Sequence, residues 1–228
     1  MTRATSQPRS RGTSSDIDLD RIVATAVEMA NEQGHESVTI RKLAGTIGVA
    51  PMSIYGYVDS KEDLLDRMTA QMMDRFEVPV SSSLDWGEEV FLIFVAFHDL
   101  LMANPSLGRL LATRRVISLG VTRKISATLT HLRDAGLSPE VCVAADAFLT
   151  AYTLGSVDFK LRRTDRGSYP GEDAEIEDKL VQFSMNRSFP LVQDLAHEIS
   201  QVGRTNAFEF GLRLIVEGLR ELAGKAAE

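Results

Sequence analysis

Residues 39–58 contain two short apolar patterns with a glycine between them, and these patterns restrict the fold of this chain more than any other feature. In the first pattern, apolar residues recur at positions i, i+3, i+4 and i+7, as on one buried helix face: Ile40, Leu43, Ala44 and Ile47. Gly48 ends this helix, and Pro51 opens a second one, because the first turn of a helix does not need a nitrogen donor. Ile54 and Val58 then share one face and are expected to point inward. The pattern predicts two short helices joined by a tight turn.

Further helices are predicted on either side of this pair. Before it, an apolar stripe begins after Asp18, a residue type that favours helix N-termini: Leu19, Ile22, Val23, Ala26, Met29 and Ala30. After it, Ser60 and Asp63 have the spacing of an N-terminal cap for a fourth helix. A helix of two turns needs tertiary packing to persist. Residues 16–76 are therefore predicted to form one small domain that contains a helix-turn-helix.

A helix-turn-helix suits duplex DNA, because one helix fits into a major groove about 12 Å wide. The hydroxyls of Ser53, Tyr55 and Tyr57 lie off the apolar face and would reach bases or phosphates. Gly56 permits close approach of the backbone, and Arg41 sits at the start of the preceding helix. The alternative, which periodicity alone leaves open, is that these helices only form a packing unit.

The charge distribution favours an anionic partner at one end of the chain. The net charge is −7, yet residues 1–15 carry +3 and residues 39–61 carry +2, which leaves −12 for the rest. Two positive regions on an acidic body are typical of a protein that presents one end to an anion. Residues 1–15 are polar and are predicted to be a disordered basic tail, which would be able to contact DNA phosphates.

Several classes of protein are disfavoured by composition and by the motifs that are missing. A single cysteine, Cys142, argues against a disulfide framework and a Cys-rich zinc site. The apolar run 90–97 is shorter than the ~20 residues of a spanning helix, and the first fifteen residues lack a secretory h-region. No Gly-rich phosphate loop, His-Glu-x-x-His or Gly-x-Ser-x-Gly motif is present. We therefore expect a cytoplasmic, non-enzymatic protein without a cofactor or a membrane partner.

The body of the chain, residues 77–228, is predicted to be entirely helical, which makes the fold class all-α. No alternating strand patterns with hairpin turns occur there. Breakers and caps divide this region into five predicted helices, with a moderately amphipathic segment at 172–183 before the last of them: 86–103, 106–114, 122–135, 138–163 and 206–223. These helices are expected to form one larger domain.

Two of these helices are predicted to form a dimer interface. The last one has an apolar stripe with glycines beside it: Phe208, Leu212, Ile215, Leu219 and Leu222, with Gly211 and Gly218. The long one has a similar set: Ala144, Ala145, Phe148, Tyr152 and Gly155. Glycine costs roughly 1 kcal/mol inside a helix, so its repetition indicates close helix approach. A homodimer held by a four-helix bundle is the hypothesis, and an intrachain core is the alternative.

Residues 38–65 combine Thr39-Ile-Arg-Lys-Leu-Ala44, Gly48-Val49, Ser53-Ile-Tyr55 and Lys61 at fixed offsets. This combination resembles the DNA-binding domain of the TetR family of transcriptional regulators, over roughly residues 17–75. The resemblance implies that operator DNA is contacted by nine residues: Thr39, Arg41, Pro51, Met52, Ser53, Tyr55, Gly56, Tyr57 and Lys61. In this family the lysine binds a phosphate. Gly56 and Tyr57 stand where the tetracycline repressors have Trp-His, so the resemblance implies DNA binding but does not give the operator sequence.

Residues 208–219 and 151–156 resemble helices of the tetracycline-repressor type of C-terminal domain. The resemblance implies that the body binds a small effector and that binding re-spaces the two recognition helices of a dimer. Half-sites lie about 34–36 Å apart, so a small change of spacing breaks the register. The effector lowers DNA affinity only by its differential affinity for the two states.

An apolar pocket is the candidate site for that effector. Its predicted lining is Phe94, Met102, Phe148 and Tyr152 with the polar residues His98, Arg114, Asp146 and Thr150, and Phe91 and Phe97 lie on the same stripe as Phe94. The alternative is that the aromatic stripe is ordinary core and that His98 is a partly buried histidine without a ligand.

Tetracycline itself is not expected as the ligand. Where the tetracycline repressors carry metal ligands, alignment places Leu111, Ala151 and Phe159, and none of these is a ligand for a hard metal ion. We therefore predict no metal. Two functions remain open for a DNA-binding regulator: a repressor released by a small hydrophobic ligand, or a regulator without a small-molecule effector. A helical enzyme is the third and least supported hypothesis.

Overall fold

A computed structural model describes residues 17–79, 84–165, 172–185, 189–201 and 206–226, and it contains helices and no strand within these ranges. The first helices are α1 (Leu19–Gln33), a 3₁₀ turn (His35–Ser37), α2 (Ile40–Ile47), α3 (Pro51–Ile54) and α4 (Lys61–Asp74). The next are α5 (Trp86–Ala103), α6 (Pro105–Thr113), α7 (Leu119–Asp134) and α8 (Pro139–Asp165). The last are α9 (Glu172–Met185), α10 (Pro190–Asp194), α11 (Ala196–Ser200) and α12 (Ala207–Ala226). The all-α fold class is confirmed.

The chain divides into two compact units between Met68 and Thr69, within α4. The first unit contains α1 to α3 and most of α4. The side chain of Asp18 caps α1 by accepting a hydrogen bond from the Arg21 nitrogen at 2.7 Å. The fully buried apolar side chains of this unit come from all four helices: Ile22, Ala26, Leu43, Ala44, Ile54, Leu64 and Met68. The predicted domain boundary after residue 76 stays a prediction, and the predicted tail 1–15 lies outside the described residues.

The turn between α2 and α3 is built from local signals. Gly48 adopts a left-handed conformation with φ 88° and ψ 32°, which only glycine reaches readily. The main-chain nitrogens of Gly48 and Val49 both donate to the Ala44 carbonyl at 2.9 Å. Pro51 starts α3, but this helix is one turn long and ends at Ile54. Val58 lies in the turn that follows and is 2% exposed. Ile54 and Val58 therefore both point inward as predicted, although no single continuous helix contains them.

The second unit is organised around α5. This apolar helix packs against α7, α8 and α12, and α6 packs against both α5 and α8. Its buried side chains include Val90, Phe91, Ile93, Phe94, Phe97 and Leu101. Helices α9, α10 and α11 pack against one another. Helices α10 and α11 fall in a stretch where no helix was predicted, because five residues are too few to display a helical period.

The apolar stripe predicted on the last helix belongs mainly to the core of the same chain. Phe208 (6% exposed), Leu212 (0%) and Leu219 (7%) are buried in the second unit. A different face of α12 carries exposed apolar side chains, with Phe210 at 69% and Leu214 at 59% exposure. Three of the five residues of the predicted stripe are therefore core residues, as the intrachain alternative expected, because α12 is apolar on two faces and the periodicity did not distinguish them.

The residues of α8 that were predicted to form the dimer interface likewise lie on two different faces of the helix. Ala145 is buried and Tyr152 is half-buried within the chain, whereas Ala144 and Gly155 lie on an exposed face together with Phe148. By length and composition alone, the stretch Pro139–Leu161 would suffice to cross a membrane, although a helix on the core of a soluble protein passes the same test.

Candidate nucleic-acid interface and ligand region

The predicted recognition residues lie on the outside of the first unit. Met52 is 76% exposed and Tyr55 is 49% exposed, while Ile54 between them is fully buried. Pro51, Ser53 and Gly56 are exposed as well. The buried side chains of Ile54 and Val58 hold this segment against the core of the unit. Residues 51–57 thus form a short exposed probe, of a size that enters a major groove.

Positive charge flanks this probe on both sides in sequence. Arg41 and Lys42 are exposed in the first turn of α2, and Lys61 is half-buried as the first residue of α4. Thr39 caps α2, because its side-chain oxygen accepts a hydrogen bond from the Lys42 nitrogen at 3.2 Å. Its hydroxyl thus has a structural role that sequence reasoning did not assign to it.

Tyr57 has a partner inside the protein. Its hydroxyl donates a hydrogen bond of 2.7 Å to the main-chain carbonyl of Ile17, the residue that precedes the α1 cap. A tyrosine hydroxyl carries one hydrogen and cannot donate to a phosphate while it makes this bond. The side chain is 39% exposed, so its ring remains accessible. Sequence reasoning missed this bond, which joins residues forty positions apart.

The start of α4 is held by a reciprocal cap. The Ser60 hydroxyl accepts from the Asp63 nitrogen, and the Asp63 carboxylate accepts from the Asp59 nitrogen, both at 3.0 Å. Arg67 binds the same carboxylate at 2.9 Å. Burial alone would raise the pKa of Asp63, but the Asp59 hydrogen bond and Arg67 outweigh it, and the pKa lies below its ordinary value. These bonds fix the position of Lys61.

The predicted ligand residues of the second unit fall into two groups by their contacts. In the first group, Asp146 and Thr150 of α8 surround the ammonium of Lys124 from α7. Nζ lies 2.8 Å from Asp146 Oδ1 and 2.6 Å from Thr150 Oγ1. The same atom lies 4.4 Å from the ring centroid of Phe94 and 5.5 Å from that of Phe97. This geometry forms a buried ion pair with aromatic faces beside it.

Lys124 itself was not predicted as a site residue. Burial lowers the pKa of its ammonium, and the charge and hydrogen bond of Asp146 oppose that shift. Lys124 stands in a buried series with a spacing of four residues, together with Gly120, Thr128 and Leu132. Because Gly120 and Thr128 carry no large apolar side chain, helical spacing in the sequence did not mark Lys124 as buried.

The second group is an aromatic stack between α5, α8 and α12. The rings of His98 and Phe208 are stacked with centroids 4.1 Å apart, and Tyr152 stacks on Phe208 at 5.7 Å. The Tyr152 hydroxyl lies 3.1 Å from the carbonyl oxygens of both Ala207 and Phe208. His98 Nδ1 lies 3.2 Å from Asp99 Oδ1, whereas its Nε2 atom is buried without a hydrogen-bond partner. An unpaired buried nitrogen of this kind is uncommon.

The remaining predicted ligand residues are not brought together with these groups. Phe148 is 59% exposed on the outer face of α8, and Arg114 lies at the end of α6. Met102 is half-buried near the end of α5. A cavity of about 340 Å³ lies instead between α6 and α8, where Gly108, Arg109 and Asp158 are among its lining residues. The predicted set therefore does not describe one continuous pocket.

Metal ligands are not grouped in the described part of the chain. No cluster of three or more His, Cys, Asp or Glu side chains is placed to hold an ion there. The three aligned positions Leu111, Ala151 and Phe159 lack metal-binding side chains. The expectation of no metal stays a prediction.

A helix-turn-helix with an exposed probe, followed by an all-helical body, defines a class of DNA-binding regulators. Two family profiles match the chain: "Bacterial regulatory proteins, tetR family" over residues 22–68 and "Tetracyclin repressor-like, C-terminal domain" over residues 78–223. The chain belongs to the TetR family of bacterial regulators. Members of this family are DNA-binding proteins and not enzymes, which confirms the expectation of a non-enzymatic protein.

Relatives of known description cover almost the whole chain. The HTH-type transcriptional repressor DrrR1 of Streptomyces coeruleorubidus is 27% identical over 95% of this chain and 82% of its own length. The class C tetracycline repressor of Escherichia coli is 26% identical over 90% of this chain and 92% of its own. Among solved structures, the Streptomyces coelicolor TetR family protein ActR in complex with actinorhodin has a TM-score of 0.78, at 25% identity, covering 92% of this chain and all of that one.

Proposed function

We propose that this protein is a transcriptional repressor that binds operator DNA as a homodimer and is released by a small hydrophobic ligand. The observation that carries the DNA-binding part is the exposure of Met52 and Tyr55 on either side of the buried Ile54. A surface turn that exposes a methionine and a tyrosine gains from contact with another macromolecule. Because operator DNA lies in the bacterial cytoplasm, we place the action of the protein there.

The base-reading role falls to α3 and the turn after it. Met52, Ser53 and Tyr55 are exposed where base edges would lie, and Arg41 and Lys61 supply positive charge for phosphates. Thr39, Pro51 and Gly56 lie at the same surface and would contact the DNA backbone. For Tyr57 we propose contact through its ring rather than its hydroxyl, since the hydroxyl is bonded to Ile17.

Two exposed apolar faces support the homodimer. On α8, Phe148 and Phe159 are 59% and 58% exposed, with Ala144, Ala151 and Gly155 exposed on the same side. On α12, Phe210, Leu214 and Leu222 are 69%, 59% and 50% exposed. Faces of this kind on two long helices match what a four-helix bundle between two copies would cover.

A second copy fits these faces better than lipid does. The opposite side of α8 packs against α5, α6, α7 and α12. Asp146 on that helix is ion-paired with Lys124, and Asp158 lies further along it. Charged groups in a spanning helix are costly, whereas they are ordinary on a helix of a soluble bundle.

The ligand-responsive part rests on relatives and on the polar groups inside the body. ActR has been solved with actinorhodin, which is a property of that protein. In this chain, Lys124, His98 and Tyr152 provide polar atoms in an aromatic interior. The regulator without an effector remains the second candidate, because Phe94 is fully buried and Phe97 is 2% exposed, as in a packed core.

Binding of the protein to the DNA upstream of its own coding region tests the proposal. Fluorescence anisotropy at several salt concentrations is expected to show specific binding whose affinity falls steeply as salt rises, because phosphate contacts release counterions. An unrelated duplex of equal length is the control. A sedimentation mass near twice the 25.1 kDa of the chain is expected at micromolar concentration. Equal affinity for both duplexes, or a monomer mass, would contradict the proposal.

A further inference from the structure

The cavity of about 340 Å³ between α6 and α8 is separate from the closed aromatic interior of the second unit. Within the described part of the chain, its lining comes from these two helices and contains no aromatic side chain. Gly108 and Val157 are buried and form its floor, whereas Ala112, Thr113 and Gly155 are exposed at its mouth. The cavity is therefore closed on one side and open to solvent on the other.

The volume of the cavity limits the size of a ligand that would fit it. Well-packed protein interiors leave few voids larger than a water molecule, so a space of this volume exceeds what ordinary packing leaves. An apolar cavity of about 150 Å³ holds one benzene ring. The space between α6 and α8 thus has room for two fused rings, and its volume is at the lower end of the range for small-molecule sites.

Two glycines on opposite walls keep this space open. A Cβ atom at Gly155 would meet no atom of the neighbouring helices within 4 Å, and one at Gly108 would meet only Val157 Cγ1, at the ordinary contact distance of 3.7 Å. At Gly211, by contrast, a Cβ atom would collide with the hydroxyl of Tyr152. Glycine is unfavourable inside a helix, yet packing does not require it at positions 108 and 155. The space that these two glycines leave is available to a ligand.

The chemistry of the lining favours a ligand without net charge. Aliphatic side chains of Pro105, Leu154 and Leu161 supply much of the wall. Arg109 and Asp158 are half-buried at the same cavity and carry opposite charges, so the wall has no net charge. A charged ligand would lose hydration in this cavity without gaining a compensating charge.

We propose that the cavity between α6 and α8 binds a compact, neutral ligand of two fused rings, which lies against the aliphatic wall between Gly108 and Gly155. The inference rests on the proposed function, because it gives a place and a chemical class to the ligand that this function requires. The place differs from the one predicted from the sequence, since none of the eight residues predicted to line an effector pocket borders this cavity. Burial of the rings against apolar walls supplies the affinity.

Isothermal titration calorimetry of the full chain with 2-naphthol, a neutral molecule of two fused rings, tests the proposal. We expect naphthol to bind the wild type saturably, with one site per chain. The anion 2-naphthalenesulfonate has the same ring system and is expected to bind at least about tenfold more weakly, because its charge would be buried without a partner.

Two substitutions fill the cavity from opposite walls. Ala112→Leu on α6 and Gly155→Leu on α8 are each expected to weaken naphthol binding by about tenfold or more, because the added side chain occupies the space of a ring. Gly224→Leu on α12 is the matched control: its Cβ position is also open, it does not border the cavity, and naphthol binding is expected to be unchanged. Thermal unfolding of each variant shows whether it is folded.

Sedimentation of the same variants keeps the test decisive, because Gly155 also lies on the face of α8 assigned to the dimer. If Gly155→Leu loses the dimer or does not fold, Ala112→Leu decides the outcome, since α6 is not part of that face. Absence of saturable naphthol binding to the wild type, equal binding of naphthol and the sulfonate, or wild-type naphthol affinity in Ala112→Leu would overturn the proposal. Absent naphthol binding together with loss of the dimer in both filled variants would overturn it in favour of a second copy that fills the cavity.

Operator affinity measured on the same samples separates this inference from the function on which it rests. If the wild type binds its operator but not naphthol, the assignment of the cavity is wrong and the DNA-binding function stands. If the wild type does not bind operator DNA, the proposed function fails whatever the calorimetry shows.

Discussion

The main-chain nitrogen of Gly120 donates a hydrogen bond of 2.7 Å to the carboxylate of Asp74. The bond joins the first turn of α7 to the last residue of α4. Arg123, one turn further along α7, donates to the main-chain carbonyl of Asp74, also at 2.7 Å. Lys124 follows directly, so a single turn of α7 holds both the end of α4 and the buried cation.

Gly120→Ala is expected to destabilise the protein. A Cβ atom at this position would collide with the main-chain carbonyl of Met73, so α4 and α7 would have to move apart. Overpacking of this kind costs about 1–3 kcal/mol. Urea unfolding measures the change. Gly224→Ala is the control: nothing lies within 4 Å of its Cβ position, and alanine favours a helix interior. A Gly120→Ala variant as stable as the control would contradict the described contact.

Tyr57→Phe and Tyr55→Phe are expected to act on different properties. Tyr57→Phe removes the hydroxyl that binds Ile17 and should lower the free energy of unfolding by roughly 0.5–1.5 kcal/mol. Tyr55→Phe should leave stability unchanged and weaken operator binding. Chemical denaturation and anisotropy on the two variants check both. A Tyr57→Phe variant with normal stability but weaker operator binding would show that its hydroxyl contacts DNA.

The stability contributed by Asp63 is expected to disappear in acid. Its pKa is lowered in the folded protein, so its contribution is complete above the unfolded value of about 3.9 and is lost as the pH falls through the folded value. Asp63→Asn should therefore be less stable than the wild type at neutral pH, by less than about 1 kcal/mol. The difference should persist down to about pH 4 and shrink below it. Unfolding curves at several pH values measure this. A difference that grows in acid would be inconsistent with a lowered pKa.

Features that depend on neighbouring residues were predictable from the sequence, whereas contacts between residues far apart in the sequence were not. The α2–α3 turn followed from Gly48 and Pro51, because both residues act through their own backbone conformation. The bond between Tyr57 and Ile17 and the burial of Lys124 depend on distant partners, so no local pattern revealed them. The stripe on α12 was misassigned because the helix is apolar on two faces.

The same limit applies to the ligand region. Helical spacing correctly placed Phe94 and His98 on buried positions of α5. It did not show that Phe148 lies on the outer face of α8, because that depends on which side of α8 packs against α5. Residue types and spacing thus identified the helices of this region, but not which face of each helix packs against the rest of the protein.

Lys61→Ala is expected to weaken binding to every DNA sequence alike. Its ammonium is assigned to a phosphate, so its loss should reduce the slope of log affinity against log salt by about 1 without changing sequence preference. Titrations of specific and unrelated duplexes over a salt series measure this. Lys179→Met on α9 serves as the control. A changed sequence preference in Lys61→Ala would place the lysine at a base edge instead.

The central claim is that Met52 and Tyr55 read DNA sequence, and the ratio of affinities for operator and scrambled duplexes tests it most directly. In the Met52→Ala/Tyr55→Ala double variant the ratio is expected to fall by at least about tenfold, because each lost base contact is worth about 1–3 kcal/mol. Binding to the scrambled duplex should change little, since the phosphate contacts remain. A double variant that keeps the wild-type ratio would contradict the account.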